Sequence, residues 1–323
     1  MTAQARPAHV LVTGGAGFIG ANLVRALLDS GTASSVVALD DLSTGEAGNL
    51  GALPDVRLVE GSILDRDALA AVMPGCSAVV HLAARPSVPR SLTDPELSHD
   101  VNATGTVRVL EAARRHGSPH VVVASSSSVY GANPVLPKHE QLAPQPLSPY
   151  AASKLAAEAY ALAYGQSFEL PVLAFRFFNV FGPRQTAGHA YAAVVPAFLS
   201  AALSGAPLTL FGDGAQTRDF TYVDSVTAVI CDALARRVTS PNPVNLAFGS
   251  RTSLLELVEL LEDVLQRPLQ VVHEAPRIGD VRHSQASQES LRRLFPSVAP
   301  VGLRAAVEAT AHWYQAHLTS AQP

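Results

Sequence analysis

A chain of 323 residues is long enough for one large domain or two closely packed ones. Its formal net charge of −4 gives no electrostatic reason to expect nucleic acid or an anionic membrane surface as a partner. Two cysteines, Cys76 and Cys231, exclude a disulfide framework, and their apolar surroundings mark them as buried structural thiols. Hydrophobic residues make up 48% of the chain and mean hydropathy is +0.19, largely through alanine. Residues 1–8 are polar and lack a secretory signal's apolar core, and no apolar run has the length to span a bilayer; a cytoplasmic protein is expected.

The first element is a buried strand, 9–13, which runs into Gly14-x-x-Gly17-x-x-Gly20 and then an amphipathic helix, 18–29. Glycine suits such a turn because it reaches backbone angles closed to other residues and lets a ligand's phosphates touch the main chain. The helix that follows points its unpaired N–H groups at the same place. A second strand, 35–40, ends in Asp40, where an acid can hold the adenine ribose hydroxyls of a dinucleotide. With no arginine beside it, that acid favours NAD over NADP, and Asp41 could share the task. A chance glycine-rich turn and a turn-forming aspartate are the plainer alternatives.

Further short, valine-rich strands are expected at 56–60, 78–82, 120–124 and 171–176, with helices clearest at 96–116 and 149–164. The alternation predicts an α/β fold with a Rossmann-type, doubly wound parallel sheet. Ligands in such sheets bind beyond the carboxyl ends of the strands, which draws attention to Ser62 and Ile63, Ala83 and Ala84, and Ser125 to Ser128. Ser148 and Pro149 read as the cap and first residue of a helix that Gly165 closes. Tyr150 and Lys154 are then four residues apart on one face. A phenol titrates near 10, so a tyrosine base needs its pKa lowered, which a neighbouring lysine and a cationic nicotinamide can do. Beyond 176 the alternation becomes irregular. The helix near 223–236 and the strand near 244–248 return to the first domain, Ser253 caps a helix to about 266, 269–273 reads as a strand, and 303–318 as the last helix. Trp313 and Tyr314 read as packing residues. The expected division is 1–178 plus 220–248 for the dinucleotide and 179–219 plus 249–323, a smaller α/β domain, for the substrate.

The set Gly14, Gly17, Gly20, Asp40, Ser126 and Tyr150-x-x-x-Lys154 resembles the extended short-chain dehydrogenase/reductase family, and within it the UDP-hexose 4-epimerases. The likeness runs through nearly the whole chain, including Val80 to Ala84, Ala124 to Gly131, Phe175 to Arg184 and Arg218 to Val223. It implies catalysis by Ser126, Tyr150 and Lys154 on a tightly bound NAD. The cofactor wall would add Phe18, Ile19, Asp41, Ser43, Thr44, Gly45, Ser62, Ile63, Leu82, Ala83, Ala84, Asn102, Ser125 and Phe177. A UDP-sugar would be met by Ser87, Asn179, Val195, Thr209, Phe211, Arg218, Arg277, Asp280 and Ser284, with Asn179 and Arg218 on the diphosphate and Phe211 against the uracil. Arg277 would bind phosphate and Asp280 the uridine ribose. Serine at 284, where hexose-restricted relatives carry tyrosine, implies room for an N-acetyl group. No metal is implied, and a homodimer through a four-helix bundle of helices 96–116 and 149–164 is.

Two departures stand out: Ser62 replaces the acid that often contacts adenine, and Ser287 stands near the place of another acid, where it reads as a helix cap. Alternative functions are a 4,6-dehydratase or decarboxylase, which would need an acid among Ser126 to Ser128, a UDP-glucuronate 4-epimerase, and a nonenzymatic NAD-binding regulator.

Overall fold

The structure is a computed structural model that describes residues 9–51, 53–187, 193–275 and 281–318. Six strands, β1 (His9–Thr13), β2 (Ser35–Asp40), β3 (Val56–Glu60), β4 (Ala78–His81), β5 (His120–Ser126) and β6 (Val172–Phe177), are joined by Val244–Leu246 in one parallel sheet. The order is β3-β2-β1-β4-β5-β6 with Val244–Leu246 at the far edge, so the chain reverses direction across the sheet between β1 and β4. That reversal opens a crevice at the strands' carboxyl ends. Because the sheet is covered on both faces, successive residues of one strand enter different cores. Val10 and Val12 pack with Leu23, Leu27, Val226 and Ile230, whereas Leu11 packs with Leu69, Met73, Leu110 and Val121 on the other face.

A third core gathers the later chain, with Phe198, Leu199, Leu208, Leu210, Leu257, Leu261, Val307 and Tyr314 among its buried members. Small two-stranded pairs tie this part together: Val180–Phe181 beside Thr221–Tyr222, Thr217–Arg218 beside Thr252–Ser253, and Leu208–Phe211 beside Val271–Glu274. Ser253 opens its helix through a reciprocal capping box with Glu256. Tyr314 is buried and its hydroxyl donates to the carbonyl of Gln185, while Trp313 stacks on His317 at 4.2 Å.

Several local expectations differ from the structure. The helix from Pro149 runs to Phe168 and stops where Glu169 turns left-handed at φ 55°, so Gly165 lies inside it. Three turns of backbone bonding outweigh the modest helix cost of one glycine. The 96–116 segment is a helix from Pro95 to His99, a π turn from Asp100 to Thr104, and a helix from Gly105 to Arg115. The turn directs Asn102, 1% exposed, into the interior, where it accepts from Arg85 N at 2.7 Å and donates to Ser153 Oγ at 2.9 Å. The last short helix, Glu289–Leu294, has Gln288 at its N-cap position without a side-chain cap bond, and the Ser287 hydroxyl accepts a long 3.4 Å bond from Glu289 N. Cys231 is buried as expected, but Cys76 is half-buried.

Candidate active site

The glycine turn is close-packed main chain. Gly14 has φ +70°, and a β-carbon there would sit 2.8 Å from Ala83 N; at Gly20 it would sit 2.0 Å from Gly14 O. No side chain could replace either hydrogen without moving backbone. The helix Phe18–Asp29 starts at Gly17 with no side-chain cap and no acid in its first turn, so its leading N–H groups are left for an anion. Asp40, 7% exposed, accepts from Ala16 N and Leu42 N, each at 2.9 Å. Burial pushes its pKa up, against the pull of those backbone bonds. A carboxylate has about four lone-pair positions, so capacity remains for vicinal hydroxyls. Main-chain cradle, uncapped helix and acid together fit a dinucleotide.

These groups open onto a cavity of about 960 Å³. Its wall includes Gly14, Gly17, Phe18, Ile19, Gly20, Asp40, Asp41, Ser43, Thr44, Ile63, Leu82, Ala83, Ala84, Ser125 and Phe177. Gly45, Ser62 and Asn102 stand behind it. A β-carbon on Gly45 would meet both Asp40 oxygens at 3.0 Å, and Ser62 Oγ accepts from Leu64 N at 3.1 Å. Asn102, bonded to Arg85 and Ser153 as above, reaches the wall through Arg85.

Ser126, Tyr150 and Lys154 converge on the middle of the cavity. Ser126 ends β5, and its Oγ accepts from Ser128 N at 3.2 Å and bonds Ser128 Oγ at 2.8 Å. Ser148 caps the helix by accepting from Ala151 N at 3.1 Å, with Pro149 at the first position, which sets Tyr150 and Lys154 in the first two turns. Burial pushes the Tyr150 phenol above its ordinary pKa, opposed by its hydrogen bond with Ser126. Loss of hydration outweighs that bond, and Lys154 is itself depressed to about 8 by burial, with Glu158 pulling the other way.

The other end of the cavity is assembled from distant segments. Ser87, Asn179, Arg218 and Ser284 all line it. Ser87 stands at φ +96°, a strained angle for a residue with a side chain. Asn179 Nδ2 donates to Asp219 O at 3.0 Å. The strap 281–287 lies alongside Thr217, through Thr217 N to Arg282 O and Ser284 N to Thr217 O, both 3.0 Å. On its other side it bonds Lys138, which donates to Gln285 O and accepts from Ser287 N at 2.7 Å each. The Asp219 carboxylate, fully buried, pins the strap by accepting from Ala286 N at 3.0 Å while holding Ser250 N and Oγ at 3.1 and 2.9 Å.

Val195, Thr209 and Phe211 are not on the wall. Val195 is buried in the third core, and Thr209 and Phe211 lie in a strand paired with Val271–Glu274. Their places follow from packing of the later chain, which no local pattern reports. Arg277 and Asp280 lie outside the described residues. Sequence reasoning passed over Glu46, Asn49, Arg85, Arg90, Lys138 and His283, all of which line the cavity. The run Arg85-Pro-Ser87-Val-Pro-Arg90 just after β4 was a usable signal for two of them. Among the described lining residues the carboxylates are Asp40, Asp41 and Glu46, all near the end of β2 or the loop after it, and none stands beside Ser126 and Tyr150. No group of metal-holding side chains occurs among the described residues.

The chain is 38% identical over 317 residues to the UDP-glucose 4-epimerase of Mycolicibacterium smegmatis, covering 95% of this chain and 98% of that protein. It is 35% identical over 322 residues to the dTDP-glucose 4,6-dehydratase of Streptomyces griseus, covering 98% and 96%. Among solved structures, the UDP-N-acetylglucosamine 4-epimerase of Methanobrevibacter ruminantium M1, in complex with UDP-N-acetylmuramic acid, superposes with a TM-score of 0.90 at 34% identity, covering 97% and 100%. The family model for the NAD dependent epimerase/dehydratase family matches residues 10–247, a span that takes in the glycine cradle, Asp40 and the Ser126, Tyr150 and Lys154 cluster. On that match and those relatives, the chain belongs to the NAD dependent epimerase/dehydratase family.

Proposed function

We propose that the protein is a nucleotide-sugar 4-epimerase that interconverts UDP-N-acetylglucosamine and UDP-N-acetylgalactosamine, and UDP-glucose and UDP-galactose as well. The observation that carries this over dehydration is the missing acid: Ser126 to Ser128 and their described neighbours on the cavity wall hold no carboxylate. Eliminating water from a sugar needs an additional acid or base, whereas epimerisation needs one group to move the 4-hydroxyl proton. Tyr150 is that group, Ser126 bonds the same oxygen, and Lys154 holds the nicotinamide ribose and supports the phenolate. NAD, held by the glycine cradle and Asp40, supplies the hydride acceptor and donor when bound. Asn179 and Arg218 hold the diphosphate, which anchors the molecule while the sugar turns over. In this reading 1–178 with 220–248 binds NAD, and 179–219 with 249–323 binds the nucleotide sugar.

The substrate assignment rests on Ser284, a small residue on the wall. Incubating the purified protein with UDP-sugars and dTDP-glucose and resolving the products tests the reaction; a 4-keto-6-deoxy sugar as product would refute epimerisation. Ser284→Tyr is expected to suppress the N-acetyl reaction and spare the plain hexose one. An unchanged ratio would remove Ser284 as the gate.

We also propose a homodimer through the helices at 95–115 and 149–168. Ala151, Ala157 and Ala161 are buried within the protein's own core, but Ala152, Ala159 and Ala163 are exposed on one stripe beside Tyr160, which is 49% exposed. A monomer by light scattering at micromolar concentration would rule it out. No described helix is long and apolar enough to cross a membrane.

A further inference from the structure

Ser126 stands on a strand end, and Tyr150 and Lys154 on a helix. One buried carboxylate outside that set joins the two elements. Glu158 lies one turn beyond Lys154 and is 3% exposed. Its Oε2 accepts from Ser125 Oγ at 2.7 Å and from Arg176 Nε at 2.9 Å, and its Oε1 accepts from Arg176 Nη2 at 2.6 Å. Ser125 is the neighbour of Ser126 in β5, and Arg176 the neighbour of Phe177 in β6. Both Ser126 and Phe177 line the cavity. A single side chain therefore ties the helix of Tyr150 and Lys154 to two strand ends on the cavity.

Stability alone gives a weak reason for this arrangement. A buried ion pair loses nearly as much hydration energy as it gains in attraction, and apolar residues of similar size often serve as well. Arg176 is buried at 2% exposure, its Nη1 has no hydrogen-bond partner, and its guanidinium lies 4.7 Å from the centre of the Tyr130 ring. What the pair supplies that a hydrophobic contact does not is direction. Three short charge-assisted bonds at fixed angles hold two strand ends against one turn of helix.

We propose that Glu158 is a positioning residue, whose bonds to Ser125 and Arg176 fix Ser126 relative to Tyr150 and Lys154. The proposal rests on the reading of those three as the reacting cluster, so its test has one readout of turnover and one that needs none. Glu158 also favours the charged form of Lys154. Among the described residues, further titratable groups near that lysine include Tyr150 on its own helix, His81 on β4, which burial keeps neutral, and Arg176 on β6, reached through Glu158.

The test uses NAD-loaded protein carrying Glu158→Leu together with Arg176→Met, which removes the pair while keeping apolar volume. Its melting temperature is expected within about 5 °C of wild type. With UDP-glucose and UDP-N-acetylglucosamine, kcat is expected to fall about 10- to 100-fold with KM within about twofold, the pattern of a reacting group misplaced by about an ångström. The Lys154 ammonium, followed by NMR with labelled lysine, is expected to titrate at lower pH than in wild type. A kcat within about twofold of wild type overturns the proposal. Wild-type protein inactive on every UDP-sugar counts against the epimerase reading, an outcome distinct from an active wild type with an impaired variant. If the double variant does not fold, Ser125→Ala cuts the strand-side bond and leaves the ion pair. Turnover reduced severalfold at an unchanged melting temperature supports the brace, and full turnover overturns it.

Discussion

At one end of the cavity Gly14, Gly17 and Gly20 make the wall from main chain, with neighbouring backbone so near that a β-carbon on Gly20 would lie 2.0 Å from a carbonyl oxygen. At the other end Ser284 rides on a strap held by bonds to Thr217, Lys138 and Asp219, residues up to 146 positions away in the chain. The first end is built into the sheet and has no freedom to adapt without unfolding. The second is a set of separable bonds, each worth about 0.5–1.5 kcal/mol, and can be altered one bond at a time. The difference suits the proposed activity, in which one dinucleotide is held and more than one sugar is accommodated.

The two ends meet at Tyr150, and there the largest effect is expected. Tyr150→Phe removes the proton acceptor and keeps the ring, so turnover should fall about 10²- to 10⁴-fold while the fold and NAD binding survive. Near-normal turnover would place the chemistry elsewhere.

Acid should weaken the sheet through its buried histidines. His120, fully buried with Nε2 on Val238 O at 2.8 Å, is depressed from 6.5 to about 4 by burial, and His81 to about 3. The unfolded chain takes up protons at these positions below pH 6.5 and the folded one does not. Their stabilisation is therefore full above pH 6.5 and lost progressively as pH falls toward 4, by about 3 kcal/mol for His120 alone. Urea unfolding from pH 7 to 4 should show that slope, and His120→Gln should flatten it.

Gly20→Ala separates the two ends most directly. The added methyl meets Gly14 O and Gly15 Cα, neither of which can turn aside. A cost of about 1–3 kcal/mol is expected, read as NAD binding weakened about 10- to 100-fold by fluorescence titration. Wild-type NAD affinity in this variant would mean that the turn is softer than its packing implies.

Asp219→Asn is the converse. It replaces one acceptor by a donor at a position where the strap's Ala286 N and the Ser250 hydroxyl both need acceptors. KM for the UDP-sugar should rise about 10-fold, equivalent to roughly 1.4 kcal/mol, with NAD affinity within about twofold. An equal loss at both ends would erase the distinction drawn between them.

Much of this protein was open to reading from residue order because the governing interactions are short-range. Buried parallel strands appear as apolar runs, a glycine turn between strand and helix appears as spaced glycines, and the caps at Ser148 and Ser253 act on residues three positions on. Tyr150 and Lys154 share a face because an α-helix repeats every 3.6 residues. Tertiary structure alone decided the rest. Gly165 does not end its helix, because Glu169 takes the left-handed turn beside the start of β6. The π turn at Asp100–Thr104 accompanies the inward turn of Asn102, a placement that depends on Arg85 and Ser153. Val195 went into the third core, and Thr209 and Phe211 into a strand paired with Val271–Glu274. The pKa of Tyr150 rose because burial depends on everything that surrounds the ring, and Glu158 became a brace only when β5 and β6 came to lie beside its helix. Periodicity fixes which residues share a face, but which groups a face meets, and how much water they lose there, is set by chain segments that are far apart in sequence.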